Sequence, residues 1–145
     1  MSPLLRNILS IIAGTLLATV VMYLLETAYG KMASLPQGVS LTDLADPVKA
    51  KAAMQLMPMW AFGGILVIYA FCAFIGGLTA TLISGKKRVL PAAATGLILM
   101  VSGLIDGVQM AEPVWFMVAM SAAFLVFSWL GFVVVRNRQT KTAVL

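Results

Sequence analysis

The sequence predicts an all-α membrane protein in which four transmembrane helices form an antiparallel bundle. Of its 145 residues, 61% are hydrophobic and only 10% are charged, whereas an ordinary soluble domain carries about 25% charged residues. So few charges cannot cover the surface of a soluble protein of this size. The apolar residues are gathered in four long stretches, each able to hold the roughly 20 residues that cross a hydrocarbon core. These observations exclude a soluble globular domain.

The four stretches place the helices along the chain, and residues 1–145 are expected to form one membrane domain. We expect transmembrane helices at about residues 8–28, 60–84, 89–110 and 114–135. Helices are predicted because irregular backbone cannot face lipid and the stretches are much longer than barrel strands. The first stretch also exceeds the apolar region of a signal peptide, which is about 7–15 residues long, so we interpret it as a retained helix.

The predicted outer loop, residues 31–58, is the one connection long enough to carry structure of its own. Asp46 followed by Pro47 is typical of a helix start, because an aspartate caps the first turn and proline fits the first helical position. Lysines alternate with apolar residues in the segment that follows. We therefore expect one short helix, from Pro47 to about Met57, lying in the membrane interface.

Basic residues predict the orientation of the bundle. Seven of the ten fall on the side of the two termini and of the turn between the second and third helices: Arg6, Lys86, Lys87, Arg88, Arg136, Arg138 and Lys141. The positive-inside rule therefore places both termini in the cytoplasm. All five acidic residues fall toward the opposite side. The pI of about 9.7 thus reflects topology and attraction to anionic lipid headgroups, and we expect no nucleic-acid partner.

Small residues at four-residue spacing predict where the helices pack, because lipid supplies no hydrophobic force for helix association. Such pairs occur in every predicted transmembrane helix: Gly14 with Ala18, Ala73 with Gly77, Gly76 with Ala80, Gly103 with Gly107, and Ala119 with Ala123. Packing within the bundle is one interpretation of these faces. Association with a second copy or with a larger membrane complex is the other.

Two acidic residues near the ends of predicted helices are candidates for a polar site. Glu26 and Asp106 lie about 30 Å and 27 Å along their helices from the basic side, at 1.5 Å per residue. Acids in a membrane are costly and indicate a functional site by default. We predict an outward-facing pocket formed by Glu26, Asp106 and Gln109, suited to a cation or a proton. Ordinary interfacial acids are the alternative interpretation.

Metal and catalytic chemistry find little support in the residue types present. The chain has no histidine and one cysteine, Cys72, which excludes a disulfide within the chain. Met54, Met57 and Met59 could offer thioether ligands to Cu(I), although methionine is also an ordinary filler of apolar surroundings. The sequence shows no catalytic nucleophile combined with a general base, and no glycine-rich phosphate loop. We therefore expect no enzyme, no cofactor and no other metal site.

The order of short motifs resembles a family of small uncharacterised four-helix bacterial membrane proteins. The shared features run along nearly the whole chain: the start at Asn7, Ala13-Gly14, the turn at 36–39, Gly76, Lys86-Lys87, and the segments 113–116 and 129–131. The resemblance implies a bacterial inner-membrane setting and no known activity. Family members tend to carry histidine in the second helix and polar residues in the fourth, whereas this chain has Tyr69, Met117 and Met120 in those regions.

Three functions are compatible with these features. The first is an accessory or scaffold component that acts through helix contacts, with membrane lipids and a homo-oligomer or a larger membrane complex as partners. The second is a small transporter or channel that uses the acidic pocket. The third is copper handling by the three methionines.

Overall fold

The computed structural model describes residues 2–32, 46–85 and 88–142. In these ranges the chain forms five helices: α1 (Pro3–Met32), α2 (Pro47–Leu56), α3 (Met59–Ser84), α4 (Leu90–Met110) and α5 (Val114–Thr142). The four long helices, α1, α3, α4 and α5, are long and apolar enough to cross a membrane. The predicted all-helical chain with four apolar spans is therefore confirmed.

The helix bounds differ from the prediction mainly at the two termini. α1 begins at Pro3, five residues before the predicted start, because the Ser2 hydroxyl accepts a hydrogen bond from the backbone N–H of Leu5 at 3.3 Å. α5 continues past residue 135 to Thr142. Apolar stretches mark the part of a helix that can lie in lipid, and a helix can extend beyond that part.

The short helix α2 begins where the sequence predicts. The Asp46 carboxylate accepts a hydrogen bond from the backbone N–H of Val48 at 2.9 Å, which caps the first turn. Ala50 and Ala53 are buried, so one face of α2 packs on the bundle, where α2 contacts α4. Residues 33–45 of the predicted outer loop and the basic pair Lys86 and Lys87 lie outside the described residues.

Contacts between the ends of the helices establish their directions. At one end of the bundle the Arg6 guanidinium donates to the backbone carbonyl of Ser84, at 2.5 Å, and at the other end the Tyr29 hydroxyl donates to the carbonyl of Ala61, at 3.2 Å. α1 and α3 are therefore antiparallel. Ser128 of α5 donates to the carbonyl of Ala92 at 2.6 Å, and Met117 lies against Gly107, so α4 and α5 are antiparallel. Phe62 contacts Phe116, and Gly77 lies against Ser128, so α3 and α5 are parallel. Thus α1 and α4 run in one direction, and α3 and α5 in the other.

The two ends of the bundle differ in the charged residues they carry. The basic end carries Arg6, Arg88 and Arg136, and it is where α3 and α5 finish. The acidic end carries Glu26 and Asp106, and it is where α1 and α4 finish.

The four long helices of the chain pack against one another at small residues. A methyl group added to Gly14 would lie 2.6 Å from the carbonyl oxygen of Gly76, so α1 and α3 touch through their backbones. One added to Gly77 would overlap the backbone carbonyl of Ser128 in α5. Gly103 in α4 lies against Phe124 of α5. Since Ala18 and Ala73 are fully buried as well, the predicted small-residue faces of α1, α3 and α4 contact neighbouring helices of the same chain.

We predict that Gly77→Ala destabilises the protein, whereas Gly63→Ala in the same helix does not. The added methyl at position 77 forces α3 away from α5, and overpacking of this kind costs about 1–3 kcal/mol. At position 63 nothing lies within 4 Å of the added methyl, and alanine forms helix better than glycine by about 1 kcal/mol. Thermal unfolding in detergent, followed by circular dichroism, measures both changes. Equal stability of the two variants would contradict the backbone contact.

Candidate cation-binding cavity

A cavity of about 380 Å³ lies at the acidic end of the bundle. α1 and α4 form its two sides, α3 and α5 lie behind it, and α2 covers it at the acidic end. Its polar lining consists of Thr15, Thr19, Glu26, Tyr29, Tyr69, Ser102, Asp106 and Glu112. Its apolar lining consists chiefly of Met22, Met54, Met57, Pro58, Trp60, Ala61, Ile65, Leu99, Met110 and Phe124. The size falls in the range of ordinary ligand pockets, about 300–1,000 Å³.

Tyr69 connects the back wall of the cavity to its acidic residues. Its ring stacks on Phe124 of α5, with centroids 5.3 Å apart, and also contacts Phe116 at 6.2 Å. This packing fixes the position of the hydroxyl, which donates a hydrogen bond to the Glu26 carboxylate. The side chain of Glu26 is therefore held from α3, across the cavity, rather than by its own helix.

The turn between α4 and α5 brings Glu112 to the cavity. Ala111 adopts a left-handed conformation, with φ of 53°, and the backbone N–H of Glu112 donates back to the carbonyl of Gly107 at 2.9 Å. This hydrogen-bonded reversal ends α4 and turns the chain toward the cavity. A methyl group at Gly107 would lie 2.8 Å from one carboxylate oxygen, Oε2 of Glu112. The absence of a side chain at position 107 thus leaves room for this carboxylate.

The environment of Glu112 favours the neutral acid. Partial burial raises the pKa of Glu112 to about 7, and the negative charges of Asp106 and Glu26 act in the same direction. No lysine or arginine is among the described residues that line the cavity. Two partly buried carboxyl groups, of Glu26 and Glu112, and the exposed one of Asp106 therefore line one cavity without a basic side chain on its described walls.

Two buried oxygens in the cavity have no hydrogen-bond partner. They are Oγ1 of Thr15 and Oε2 of Glu112, and among the described side chains no other buried nitrogen or oxygen is unpaired. The hydroxyls buried elsewhere, such as those of Ser10, Thr81 and Ser128, all donate to backbone carbonyls. Because unpaired buried polar atoms are costly, their presence in one cavity indicates a site that a ligand or water completes.

The cavity is closed toward the basic end. Gly76 of α3 lies there between α1 and α4, and a methyl group at this glycine would lie 3.0 Å from Cβ of Ala18 and 3.2 Å from Cγ2 of Thr95. The three helices touch at this level. Thr15 and Leu99 are the described lining residues nearest the basic end, so the described lining ends at about the level of this contact.

The structure brings together two of the three residues predicted for the polar pocket. Glu26 and Asp106 line the same cavity, whereas Gln109 is exposed and does not line it. Gln109 lies three residues after Asp106, which turns it about 60° away from the stripe formed by Leu99, Gly103 and Asp106 at helical spacing. Met110, four residues after Asp106, lines the cavity in its place.

Two important residues of the cavity were not assigned to it from the sequence. Glu112 follows the end of α4, and its direction depends on the left-handed conformation of Ala111. Alanine rarely adopts that conformation, so the sequence does not predict it. Tyr69 comes from the middle of α3, and only the packing of α3 against α5 directs its hydroxyl to Glu26.

The three methionines of the copper hypothesis do not share one site. Met54 and Met57 line the cavity, but Met59 does not, and 73% of its surface is exposed. Among residues 2–32, 46–85 and 88–142, no group of three or more histidine, cysteine, aspartate and glutamate side chains is arranged to hold a metal ion.

Comparison of the chain with protein-family models, with curated proteins and with solved structures gave no match. The resemblance to the small four-helix bacterial family stays a prediction.

We predict that the stability of the protein falls as the pH rises from about 4.5 to about 7. Glu112 has its ordinary pKa of 4.5 when unfolded and a pKa of about 7 when folded, so in this interval the folded state binds more protons than the unfolded state. Stability then decreases with rising pH. Glu112→Gln should flatten this part of the profile, and Asp46→Asn, outside the cavity, should leave it unchanged. Thermal unfolding in detergent across the interval measures the slope, and a profile unaffected by Glu112→Gln would contradict the environment described for this carboxyl.

Proposed function

We propose that this protein is a multi-pass protein of the bacterial inner membrane that binds a monovalent organic cation in the acidic cavity, as the binding step of a small transporter. The observation that carries the proposal is the convergence of Glu26, Asp106 and Glu112 in one cavity that no described basic side chain lines. This develops the transporter interpretation of the sequence. The carrier role and the setting in the inner membrane rest on this site and on the distribution of charge.

Electrostatics favour a cation over any other ligand. Carboxylates that line one cavity repel, and an opposite charge within about 4–6 Å relieves that repulsion. Burial is the main cause of the raised pKa of Glu112, and the charges of Asp106 and Glu26 raise it further. A ligand with one positive charge would stabilise the ionised form of Glu112 and leave its Oε2, unpaired in the structure, facing the charge.

The walls of the cavity favour an organic cation over a metal ion. Ile65, Leu99 and Phe124 offer apolar contact, which a hydrated metal ion does not use. Tyr69 and Trp60 present aromatic rings to the same space, and such rings attract organic ammonium groups within about 6 Å of their centres. The three carboxylates are not arranged as a metal site among the described residues.

The helix contact at Gly76 favours a carrier over a channel. A channel needs a continuous path, whereas α1, α3 and α4 touch around Gly76. A carrier needs a site that is open on one side at a time, and a cavity lined at the acidic end of the bundle supports that proposal. Release toward the basic end would require these helices to separate at Gly76.

Charge distribution supports the direction of opening. Arg6, Arg88 and Arg136 lie at the basic end, and the positive-inside rule assigns that end to the cytoplasm. Both termini are then cytoplasmic and the cavity faces the outer side, with α2 in the outer interface.

We predict that the protein in lipid nanodiscs binds tetramethylammonium. Asp106→Asn, Glu26→Gln and Glu112→Gln should each weaken binding by about tenfold, or about 1.4 kcal/mol, since each removes one Coulombic attraction to the charge of the ligand. Affinity should also fall as the pH drops below about 7, because Glu112 becomes protonated. Isothermal titration calorimetry measures these changes.

The matched control is Asp46→Asn, which removes the same charge outside the cavity and preserves a capping residue. Binding that is absent in the native protein, or lost equally in Asp46→Asn and Asp106→Asn, would overturn the proposal. Uptake of the same cation into proteoliposomes, abolished by Asp106→Asn, tests whether binding leads to transport.

A second candidate function is association with another membrane helix, which continues the scaffold interpretation. A shallow apolar groove runs between α3 and α5 on the outside of the bundle, and four alanines line it: Ala70, Ala119, Ala122 and Ala123. Small residues of this kind allow a helix of a second copy to approach closely.

For this second function, we predict that Ala122→Leu reduces the dimer fraction of the protein. The added side chain fills the groove, whereas Val118→Leu enlarges an exposed residue of the same helix outside it. Crosslinking in native membranes and blue native electrophoresis measure the dimer fraction. A native protein that is monomeric in both measurements would rule out this candidate.

A further inference from the structure

The cavity opens sideways, between α1 and α4. Three residues that line it are also exposed on the outer surface of the bundle: Thr19 of α1, and Ser102 and Asp106 of α4. The two helices touch α3 together at Gly76, through Ala18 and Thr95, and the cavity occupies the space between them nearer the acidic end. α1 and α4 therefore flank a cleft that ends at the level of Gly76.

The surface around the cleft is the lipid-facing surface of the bundle. Large apolar side chains flank the opening on both helices, and about half of their surface is exposed: Val20 on α1, and Val101 and Ile105 on α4. The Thr19 hydroxyl donates to the backbone carbonyl of Thr15 at 2.9 Å, whereas the Asp106 carboxyl, one turn before the end of α4, is costly beside lipid. A cationic group that approaches from the membrane side would offset this cost.

Entry along the bundle axis is obstructed at the acidic end. α2 packs over this end with Ala50 and Ala53 buried, and Met54 and Met57 form part of the cavity wall. The described residues leave an approach to the carboxylates from the side, where Thr19 of α1 and Asp106 of α4 are exposed.

From the carboxylates toward the basic end, the cleft is suited to an alkyl chain. Asp106 and Leu99 are seven residues apart on α4, which is about 10 Å along the helix axis. Met22 and Phe124 add apolar surface along this length, and the hydroxyls of Thr15 and Ser102 also line it. Carboxyl groups at one end of a mainly apolar cavity match a molecule with a charged head and a hydrocarbon tail.

We propose that the ligand is a single-chain cationic amphiphile that enters from the bilayer between α1 and α4, with its ammonium group at Asp106, Glu26 and Glu112 and its chain in the cleft toward Leu99. This inference rests on the proposed function, because it assigns a ligand class to the same site. The head neutralises the carboxylates, and the chain fills the apolar part of the cavity.

The test compares alkyltrimethylammonium ions of increasing chain length with the native protein in nanodiscs. Free aqueous ligand is measured by equilibrium dialysis, and binding to protein-free nanodiscs is subtracted. From tetramethylammonium to butyl- and octyltrimethylammonium, we expect the affinity for the protein to rise by about threefold to fourfold per methylene until the chain fills the cleft.

A pair of variants tests the route. Ser102→Trp places a large ring in the cleft, one turn below Asp106, and we expect it to weaken octyltrimethylammonium binding more than tenfold while tetramethylammonium still binds. Val101→Trp, on the neighbouring lipid-facing position, should leave both ligands unaffected. Retained tetramethylammonium binding also shows that Ser102→Trp folds.

The outcomes separate this inference from the proposed function. If tetramethylammonium does not bind the native protein, the proposed function fails. If tetramethylammonium binds and Asp106→Asn weakens it, but a longer chain brings no gain or Ser102→Trp leaves octyltrimethylammonium binding unchanged, the cationic site stands and the amphiphile is overturned.

Discussion

The contact of three helices around Gly76 determines both the packing of the bundle and the shape of its cavity. α1 and α4 reach α3 there because position 76 has no side chain, and Ala18 and Thr95 fill the space it leaves. In lipid, such close contact supplies the dispersion energy that holds helices together. Nearer the acidic end, residues of α1 and α4 such as Met22 and Asp106 line the cavity instead. The cavity is thus a consequence of where the small residues are placed along the helices.

The acidic cavity depends on local backbone features as much as on its charged residues. Gly107 leaves space for the Glu112 carboxylate, and the left-handed Ala111 directs the chain back over the end of α4. Tyr69 is held by the aromatic rings of α5 and in turn holds Glu26. Four of the five helices therefore contribute to the position of the acidic groups. A site supported in this way is more rigid than one built from a single loop.

Hydropathy and charge predict the helices of this protein well, since a long apolar stretch has few alternatives in lipid. The pairing of Glu26 with Asp106 was also predictable, because both lie at a similar distance from the basic residues along parallel helices. Gln109 shows where this reasoning stops: distance along a helix does not give the direction of a side chain, and its 60° offset removes it from the cavity. Glu112 and Tyr69 depend on a left-handed turn and on packing between α3 and α5, neither of which leaves a pattern in a single sequence.

Protons and cations would compete for the same carboxyl groups. A proton on Glu112 removes one of the negative charges that attract a cation, and a bound cation lowers the pKa of Glu112 by stabilising the carboxylate. By linkage the two effects are equal in size. Since this pKa is about 7, the proposed cation would exchange with a proton on Glu112 near neutral pH.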